Sequence, residues 1–436
     1  MQNKNLYVFT FFLFNTLISL AQQEKLISFE EVLNKVKEKN HAIKISEQDF
    51  KSAKADFNQT NSILLPSISI SHTGISTTNP LMAFGSKLNQ EILTASDFNP
   101  ALLNDPDEIQ NFATKIEIQQ PLFNGDGIFM RKAAKAKMNA FELQTERTKE
   151  YMQLEVSKAY MQLQVAYKAV EVLEKAKEAA IENKKIAENS FKQGYMQRAD
   201  ILAVELHVTE VENQLLTVKS NVKNASDYIQ FLMGDTSENI LKPSTELTAN
   251  VDLTVYTIEL SENRADIEAM EKSAEAYANM HKANKMSYLP RLNAFGSYEL
   301  HDEKLFGTNA KGYLIGAQLS LTIFEGFKRI GKTQKSRAEL DKAEISLEQY
   351  KNQSQLDFNK AKRQLKDAEN SLNLTNLAVE QSQEALRIRT NRFKQGLEKT
   401  SDLLISETQY LQKQLEYLQT VFNYNFTKAY VAFLTR

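Results

Sequence analysis

The sequence predicts an α+β membrane protein built as a tandem repeat, in which very long helices alternate with pairs of strands. Its 13 glycines and 7 prolines are concentrated in two windows, residues 66–127 and 290–331. Each window is followed by a long run without either residue, 128–193 and 332–395. These runs end in nearly the same twelve residues, FKQGYMQRADIL and FKQGLEKTSDLL, which lie 202 positions apart. The chain is therefore expected to contain one structural unit twice.

The first 21 residues predict a secretory signal peptide. Lys4 precedes an apolar stretch over residues 6–20, and Ser19 and Ala21 stand before the expected cleavage point. An N-terminal membrane anchor is the alternative, although the stretch is short for a bilayer-spanning helix. The chain has no cysteine, so we expect neither a disulfide nor a lipid-modified N-terminal cysteine.

The charged and reactive residues argue against nucleic-acid binding and catalysis. The 53 basic and 55 acidic residues nearly balance, and no basic block of the kind that follows phosphates occurs. The five histidines are widely separated, so neither a zinc-binding spacing nor a nucleophile system is recognisable. We therefore expect no nucleic-acid partner, no metal or cofactor, and no enzymatic activity.

The long runs predict helices of exceptional length. They contain 66 and 64 residues rich in Ala, Lys, Glu, Gln and Leu, and at 1.5 Å per residue each would extend about 100 Å. Shorter runs follow the twin turns at 195–233 and 397–436, and others precede the two windows at 28–65 and 261–289. Because the combined length of two short runs roughly matches the length of one long run, we expect two short helices stacked end to end beside each long helix.

Within the two windows, four segments predict strands. Residues 64–74, 113–123, 288–300 and 312–324 alternate apolar and polar side chains. One face of the last segment carries Tyr313, Ile315, Ala317, Leu319, Leu321 and Ile323. A length of about 10 residues suits tilted strands that cross a membrane. Hairpins packed on a soluble core are the alternative.

The spacing of matching motifs predicts a long loop in the first copy. QPLFNGDG (120–127) and LTIFEGFK (321–328) are 201 positions apart, whereas LLP (64–66) and YLP (288–290) are 224 apart. The excess of about 22 residues must lie between the first two strands, as an unusually long connection. We therefore expect a long extracellular loop around Asn79–Asp107.

Four strands cannot close a barrel, and an open sheet edge in lipid leaves backbone groups without hydrogen bonds. The chain must therefore oligomerise. Two copies would give 8 strands with an interior filled by side chains, whereas three would give 12 strands and leave room for water. Helices of this length on an exported barrel would bridge much of a bacterial periplasm, which favours a conduit.

The chain resembles the TolC-like outer-membrane efflux protein family over nearly all of its mature length. The resemblance is carried by SFEEVLNKVKEKNHAIK, LLPSISIS, QPLFNG, LTIFEGFKR and the two FKQG turns in this order. It implies a homotrimer in the bacterial outer membrane, with four strands per protomer in a trimeric 12-stranded β-barrel and the long helices in a periplasmic α-helical barrel. It also implies contact with outer-membrane lipid, a periplasmic adaptor and an inner-membrane pump of the RND or ABC type.

With this resemblance, the expected function is a passive exit duct of a tripartite efflux or type I secretion system. A periplasmic adaptor would have one helical hairpin between β-rich flanks, and a coiled-coil structural protein would lack the paired strands; both are kept as alternatives. The expected order is signal peptide 1–21, first short helices 22–65, first β-hairpin with the long loop 66–127, first helix hairpin 128–233, equatorial connector 234–260, second-repeat short helix 261–289, second β-hairpin 290–326 and second helix hairpin 327–436.

The twin turns supply the candidate site residues. Gly194 and Gly396 are expected to end the long helices, and Asp200 and Asp402 to begin the next helices as N-terminal caps. The resemblance places both turns at a periplasmic tip or gate, with Asp402 where an acidic ring is expected. Three such carboxylates around an axis would favour cations; the alternative is that both only cap helices. Glu398 completes the site, although some relatives carry a basic residue there.

Two further sets of side chains are expected to be structural. Glu205 and Glu407, at matching positions of the repeat, are expected to be solvated tunnel or surface residues and not acid/base pairs. Aromatic residues recur along the last helix, and we expect them to pack and not to bind a ligand. They are Tyr410, Tyr417, Phe422, Tyr424, Phe426, Tyr430 and Phe433.

Overall fold

The structure is a computed structural model that describes residues 24–237, 239–249, 259–261 and 263–436. The expected signal peptide and residues 250–258 of the expected connector lie outside the described residues. The chain divides into two compact units. Unit 1 comprises Met1–His41, Tyr151–Ile258 and Asn359–Phe433, and unit 2 comprises Ala42–Glu150, Glu259–Phe358 and Leu434–Arg436.

The described residues are mostly helical. The helices are α1 Phe29–Lys39, α2 His41–Gln59, α3 Pro80–Asn89, α4 Pro100–Asn104, α5 Gly125–Lys192, α6 Arg198–Met233, α7 Ala265–Met286, α8 Lys328–Lys394 and α9 Thr400–Leu434. The strands are β1 Glu24–Ile27, β2 Ser67–Thr77, β3 Ile109–Phe123, β4 Ile240–Pro243, β5 Arg291–Asp302 and β6 Ala310–Ser320. Short 3₁₀ turns occupy Thr60–Ile63 and Ala95–Phe98.

The two glycine-free and proline-free runs form the long helices α5 and α8, of 68 and 67 residues. Both helices begin slightly before the runs, and Gly127 and Gly331 lie inside them. Glycine is tolerated in a first helical turn when a side chain satisfies the exposed N–H groups, and the Gly127 N–H donates to Asn124 Oδ1 at 3.1 Å. None of the helices in the described part of the chain is long and apolar enough to cross a membrane.

The run 28–65 forms two helices and a 3₁₀ turn. The Ser28 side chain caps α1, and the chain leaves the helical conformation at Asn40, where ψ is 132°. The buried Asn40 side chain donates to the Leu232 carbonyl at 2.8 Å. A side-chain hydrogen bond to α6 therefore accompanies the break between α1 and α2.

The four long strands form one antiparallel sheet in the order β2-β3-β5-β6. The register aligns Ile70 with Ile116, Ile116 with Tyr298, and Tyr298 with Tyr313. The expected strand over 312–324 was too long. The strand β6 ends at Ser320, since its partner β5 begins opposite this residue at Arg291 and offers no ladder beyond it.

The connection between β2 and β3, residues 78–108, is long, as we expected, but it is folded into short helices. It contains α3, α4 and a 3₁₀ turn, and we call it the β2–β3 cap. Asn79 caps α3 by accepting from Met82 N at 3.2 Å, and Thr94 and Asp97 form a reciprocal capping box. Lys87 Nζ lies 2.8 Å from Asp97 Oδ1, which ties the two parts of the cap together.

A small parallel sheet in unit 1 was not anticipated from the sequence. Strand β1 pairs with β4 from Glu24 opposite Ile240 to Ile27 opposite Pro243. The buried Tyr160 hydroxyl donates to the Ile27 carbonyl at 3.1 Å, which attaches this sheet to α5. The start of the equatorial connector is thus held on the helices by β4.

In unit 2, a largely buried carboxylate joins three helices. Asp266 of α7 lies 3.1 Å from Arg147 Nε of α5 and accepts from the Tyr350 hydroxyl of α8 at 2.7 Å. It also pairs with the nearly inaccessible Arg264 at 2.5 Å. Burial alone would raise the pKa of Asp266, but the hydrogen bonds from Arg264 and Tyr350 and the charge of Arg147 outweigh burial and lower this pKa below its ordinary value.

Candidate functional site

The sheet of unit 2 has one strongly apolar face. The register places β-branched and aromatic side chains of neighbouring strands side by side on this face, and most of them are exposed in the single chain. They are Ile68, Ile70, Ile116, Ile118, Tyr298, Tyr313 and Ile315. An exposed apolar sheet face of this extent is a surface that requires a partner or a lipid environment.

The opposite face of the same sheet carries charges. Lys115 Nζ lies 3.2 Å from Glu299 Oε1 and 3.5 Å from Glu117 Oε2, and His301 Nε2 lies 3.5 Å from Glu299. Ser69 and Ser71 of β2 continue this face toward the edge of the sheet. One apolar and one polar face are what the wall of a membrane β-barrel requires, since it contacts lipid outside and water inside.

Aromatic rings mark both ends of the sheet. Toward the end that bears the β2–β3 cap, Phe306 of the β5–β6 connection stacks on His72 in the middle of β2, with ring centroids 4.4 Å apart. At the other end, Phe324 and Phe327 are exposed and meet edge to face at 5.7 Å, and the Arg329 guanidinium lies over the Tyr288 ring. Aromatic belts at both ends of an apolar band are typical of barrel strands at the two membrane interfaces.

In unit 1, the twin turns have the same backbone geometry. Gly194 and Gly396 adopt left-handed φ angles of +80° and +72°. Each turn is closed by the same type of hydrogen bond, in which the N–H of the residue after the glycine donates to the carbonyl five residues earlier. Tyr195 donates to Ser190 and Leu397 donates to Arg392, both at 2.9 Å. This pattern is the Schellman C-cap, which favours glycine.

The two aspartates lie one helical turn further on than expected. Helix α6 begins at Arg198 and α9 at Thr400, so Asp200 and Asp402 are each the third residue of their helix and not its N-cap. The expectation of an N-cap was wrong, because Gln197 takes that position and exchanges hydrogen bonds with Asp200 in a capping box. The carboxylate of Asp200 accepts from Gln197 N at 3.3 Å.

Asp402 lies near Arg389, but Glu398 makes the closer contacts with the arginines of this turn. Glu398 accepts from Arg389 Nη1 at 2.8 Å and from Arg392 Nε at 2.7 Å, whereas Asp402 lies 3.9 Å from Arg389. The Arg392 guanidinium also donates to the Leu397 carbonyl at 3.1 Å. The ion pairs of Glu398 with Arg389 and Arg392 therefore stabilise the second turn from within its own hairpin.

The first turn has no counterpart of these ion pairs. The positions that match Arg389, Arg392 and Glu398 in the repeat are occupied by Ala187, Ser190 and Met196. Ala187 and Met196 instead belong to an apolar cluster that also contains residues of α8 and α9. Tyr195, next to Gly194, is 85% exposed. The same backbone turn thus presents an aromatic tip in one copy and a charged tip in the other.

Sequence reasoning missed a buried polar network above the turns. Glu407 was expected to be solvated, but its side chain is only 8% exposed, and its Oε2 lies 3.0 Å from Nε2 of His207, which is 9% exposed. The Asn183 amide donates to Glu407 Oε1. Glu205, by contrast, has 38% of its side chain exposed and lies 3.8 Å from Lys184, which is closer to the expectation for this pair.

A signal for this network is present in the sequence. His207 interrupts a buried apolar stripe of α6 at helical spacing, which is formed by Ile201, Val204, Val211 and Leu215. A histidine on such a stripe requires a buried polar partner. Among the described residues, no group of three or more His, Cys, Asp or Glu side chains is placed to hold a metal ion.

Comparison with solved structures shows the same fold in several bacterial membrane proteins. A membrane protein from Pseudomonas aeruginosa superposes with a TM-score of 0.82 at 14% identity, over 94% of this chain and 93% of that one. The outer membrane protein VceC from Vibrio cholerae gives 0.78 at 17% identity, over 93% and 96%. The Campylobacter jejuni CmeC outer membrane channel gives 0.77 at 16% identity, over 93% and 85%.

A search of curated proteins found no match. The family model described as "Outer membrane efflux protein" matches residues 32–235 and 258–432, which is most of the chain. This match includes the two helix hairpins and both strand pairs of the repeat. The chain therefore belongs to the outer membrane efflux protein family, a family of transport proteins located in the outer membrane.

Proposed function

We propose that three copies of this chain form a passive exit duct through the bacterial outer membrane. The observation that carries the proposal is the four-stranded sheet, which is apolar on one face and charged on the other and has an unpaired strand at each edge, β2 and β6. In lipid these edges need partners. Because neighbouring strands of the sheet run in opposite directions, β6 of one copy can pair antiparallel with β2 of the next.

A duct requires a barrel without a free strand edge and an interior wide enough for water, and three copies satisfy both requirements. Twelve strands close without a free edge and leave a water-filled interior, whereas eight would be filled by side chains. The charged face with Lys115, Glu117 and Glu299 then lines the interior, and the isoleucine-rich face contacts lipid. Helices α5, α6, α8 and α9 supply the periplasmic helical barrel.

At the periplasmic end, the duct docks to an adaptor and an inner-membrane pump of the RND or ABC type. The twin turns at Gly194 and Gly396 form the tip of the helical barrel, and Asp402 contributes a ring of three carboxylates at its entrance. The position of Asp402 in the first turn of α9, with Arg389 only at 3.9 Å, supports a carboxylate that can act on passing ions.

Native mass spectrometry of the detergent-solubilised mature protein tests the assembly. We expect a trimer as the dominant species, and a stable monomer or dimer would overturn the proposal.

Two adjacent residues on opposite faces of β2 test the orientation of the sheet. A lysine at a lipid-facing barrel site costs about 2–4 kcal/mol at the membrane midplane, so Ile70→Lys should reduce the yield of assembled trimer, while the matched control Ser69→Lys should not.

A further inference from the structure

The charged face of the sheet is covered at the end that bears the β2–β3 cap. At the start of β3, Ile109 and Asn111 are buried, whereas Gln110 between them is exposed. Because successive side chains of a strand point to opposite faces, this alternation shows a cover on one face only. Asn111 stands four residues before Lys115 in the same strand, so the two side chains share a face. The covered face is therefore the charged one, which lines the interior of the proposed duct.

Helix α3 of the cap supplies this cover. The Gln90 amide, directly after the last residue of α3, donates to Asn111 Oδ1 at 3.0 Å and to the Gln110 carbonyl at 2.7 Å. Ala83 and Ser86 precede Gln90 at helical spacing and are buried as well. These three residues form the buried side of the helix. The buried side of α3 thus faces the charged face of β3.

The opposite side of α3 carries two exposed leucines. Leu81 is 82% exposed and Leu88 is 57% exposed. They are seven residues apart and therefore share one side of the helix, and Leu81 lies nine residues, or about two and a half turns, before Gln90. The half-turn offset points both leucines away from the sheet. This is the reverse of the usual arrangement, in which a surface helix turns its largest apolar residues inward.

Contacts within the cap hold α3 in this orientation. The Phe84 ring of α3 meets the Phe98 ring of the 3₁₀ turn edge to face at 5.7 Å. Lys87 of α3 pairs with Asp97 of the same 3₁₀ turn at 2.8 Å. The two leucines are therefore presented on a fixed framework in the single chain.

The closed ring of three copies brings three α3 helices together. Twelve strands spaced about 4.8 Å and tilted about 40° enclose a barrel about 24 Å across at the backbone. A helix with its side chains is about 10 Å across, so a helix that lies on the inner wall extends most of the way to the barrel axis. The side of α3 that points away from the sheet then faces this axis.

We propose that Leu81 and Leu88 of the three copies meet around the threefold axis and form an apolar constriction at the outer mouth of the duct. The occupant of each leucine surface is thus the same surface of the other two copies. A ring of apolar side chains hinders the passage of water and ions. This inference rests on the proposed trimeric duct, but it specifies a contact that barrel closure alone does not require.

The absence of cysteine from the chain allows a crosslinking test with one substitution. The detergent-solubilised Leu81→Cys protein is treated with a short bismaleimide. We expect covalent dimers on a denaturing gel, because each cysteine has two symmetry copies nearby, and one chain of each trimer should stay single, because a bismaleimide joins only two thiols. The side chain of Leu81 is exposed in the single chain, so folding should not be affected.

Leu305→Cys is the matched control at the same end of the sheet. Leu305 is 60% exposed, but its neighbour Phe306 stacks on His72, which shares the apolar face of β2 with Ile70. This position therefore lies on the lipid side of the wall and should not crosslink. Equal crosslinking of both variants would overturn the inference, because it would report random collision between trimers.

Native mass spectrometry of the Leu81→Cys protein separates the two proposals. A trimer that fails to crosslink at position 81 would overturn the constriction and leave the trimeric duct standing. A stable monomer would overturn the duct and the constriction with it.

Replacing Leu81 by aspartate tests whether this position lies in the path of the ions. Three carboxylates around an axis attract cations, so a trivalent lanthanide ion added on the cap side of an oriented planar bilayer should block the current at a several-fold lower concentration than in wild type. Leu305→Asp places the same charge outside the path and should leave the block unchanged. An unchanged block in the Leu81→Asp trimer, or an equal change in both variants, would overturn the inference.

Discussion

Nε2 of His207 lies 3.0 Å from Oε2 of Glu407, and both side chains are more than nine-tenths buried. With Asn183 on the other carboxylate oxygen, the network joins α5 and α6 of the first hairpin to α9 of the second. Buried polar groups are costly when no polar neighbour faces them, so these three side chains constrain the helices that carry them to lie together. The network therefore fixes how the two hairpins of one chain align.

Removing the histidine should be strongly destabilising. His207→Leu leaves the Glu407 carboxylate buried without the imidazole that lies beside its Oε2, and the loss of one partner of a buried pair costs about 3–5 kcal/mol. Urea unfolding followed by circular dichroism should show this loss of the free energy of unfolding. The control Glu205→Gln removes a carboxylate that is 38% exposed beside Lys184 and should cost no more than about 1 kcal/mol. Equal effects would show that the network does not stabilise the packing.

The charge of Asp402 should influence which ions enter the duct. Asp402→Ala should weaken cation preference, measured as the reversal potential across a planar bilayer under a salt gradient, and should reduce block by multivalent cations. Charges in a ring act at short range, where screening by salt is limited. An intact trimer with unchanged selectivity would place the constriction elsewhere.

The matched substitution Asp200→Ala should act on stability instead. It removes the acidic half of the capping box with Gln197, and losses of helix caps cost about 1 kcal/mol. We expect a lower urea midpoint with little change in ion selectivity. A change in selectivity as large as that of Asp402→Ala would contradict different roles for the two repeat positions.

Glu398→Gln should loosen the second turn without affecting the first. Glu398 accepts hydrogen bonds from Arg389 and Arg392, and its side chain is only 11% exposed. Limited trypsin digestion provides an internal control, since cleavable residues flank both turns, Lys192 and Arg198 in the first and Lys394 and Lys399 in the second. Cleavage at the second turn should accelerate in the variant. A similar acceleration at both turns would indicate general unfolding.

Asp266 should contribute stability that depends on pH. Since its pKa in the folded chain is lowered, its contribution is fully present above the ordinary aspartate pKa of about 3.9 and is lost as the pH falls through the lower folded value. The difference in the free energy of unfolding between wild type and Asp266→Asn should therefore be largest near neutral pH and shrink below about pH 4. Urea midpoints measured from pH 7 to pH 3 would show this trend.

A neighbouring pair on the same two helices supplies the control for Asp266. Glu271 and Lys351 are 2.6 Å apart, but nearly half of each side chain is exposed. Exposed pairs contribute about 0–1 kcal/mol, so Glu271→Gln should change the urea midpoint little at any pH. A difference for Asp266→Asn that stays constant with pH would contradict the lowered pKa.

The distribution of glycine and proline predicted the long helices and the strand pairs well, because these residues punctuate regular structure over long distances. The β1–β4 sheet was missed, because strands of four residues carry too little periodicity to be recognised. The β2–β3 cap was taken for a loop because the spacing of the matching motifs showed only an excess of about 22 residues and not the conformation of that excess. Its two Asn-Pro pairs, at Asn79–Pro80 and Asn99–Pro100, are in fact helix starts, with asparagine as the cap and proline in the first turn.

The candidate site was less predictable than the fold. Both turn glycines could be located from the repeated motif, but the partners of Glu398 and Glu407 could not, since these partners come from other turns or other helices. Arg389 lies nine residues before Glu398, and Asn183 lies more than two hundred residues before Glu407. Sequence spacing alone does not show which of the many polar residues on a long helix face inward.

In the twin turns, the backbone path depends on the glycine, whereas the chemical character depends on the neighbouring side chains. No heavy atom lies within 4 Å of the place where a Cβ would stand at Gly194 or Gly396, so their left-handed φ angles, and not crowding, require glycine. Because the backbone path depends on one residue in each turn, the neighbouring side chains could diverge after duplication without altering that path. An ancestral turn of one kind could thereby yield the exposed tyrosine of the first copy and the arginine-bound glutamate of the second.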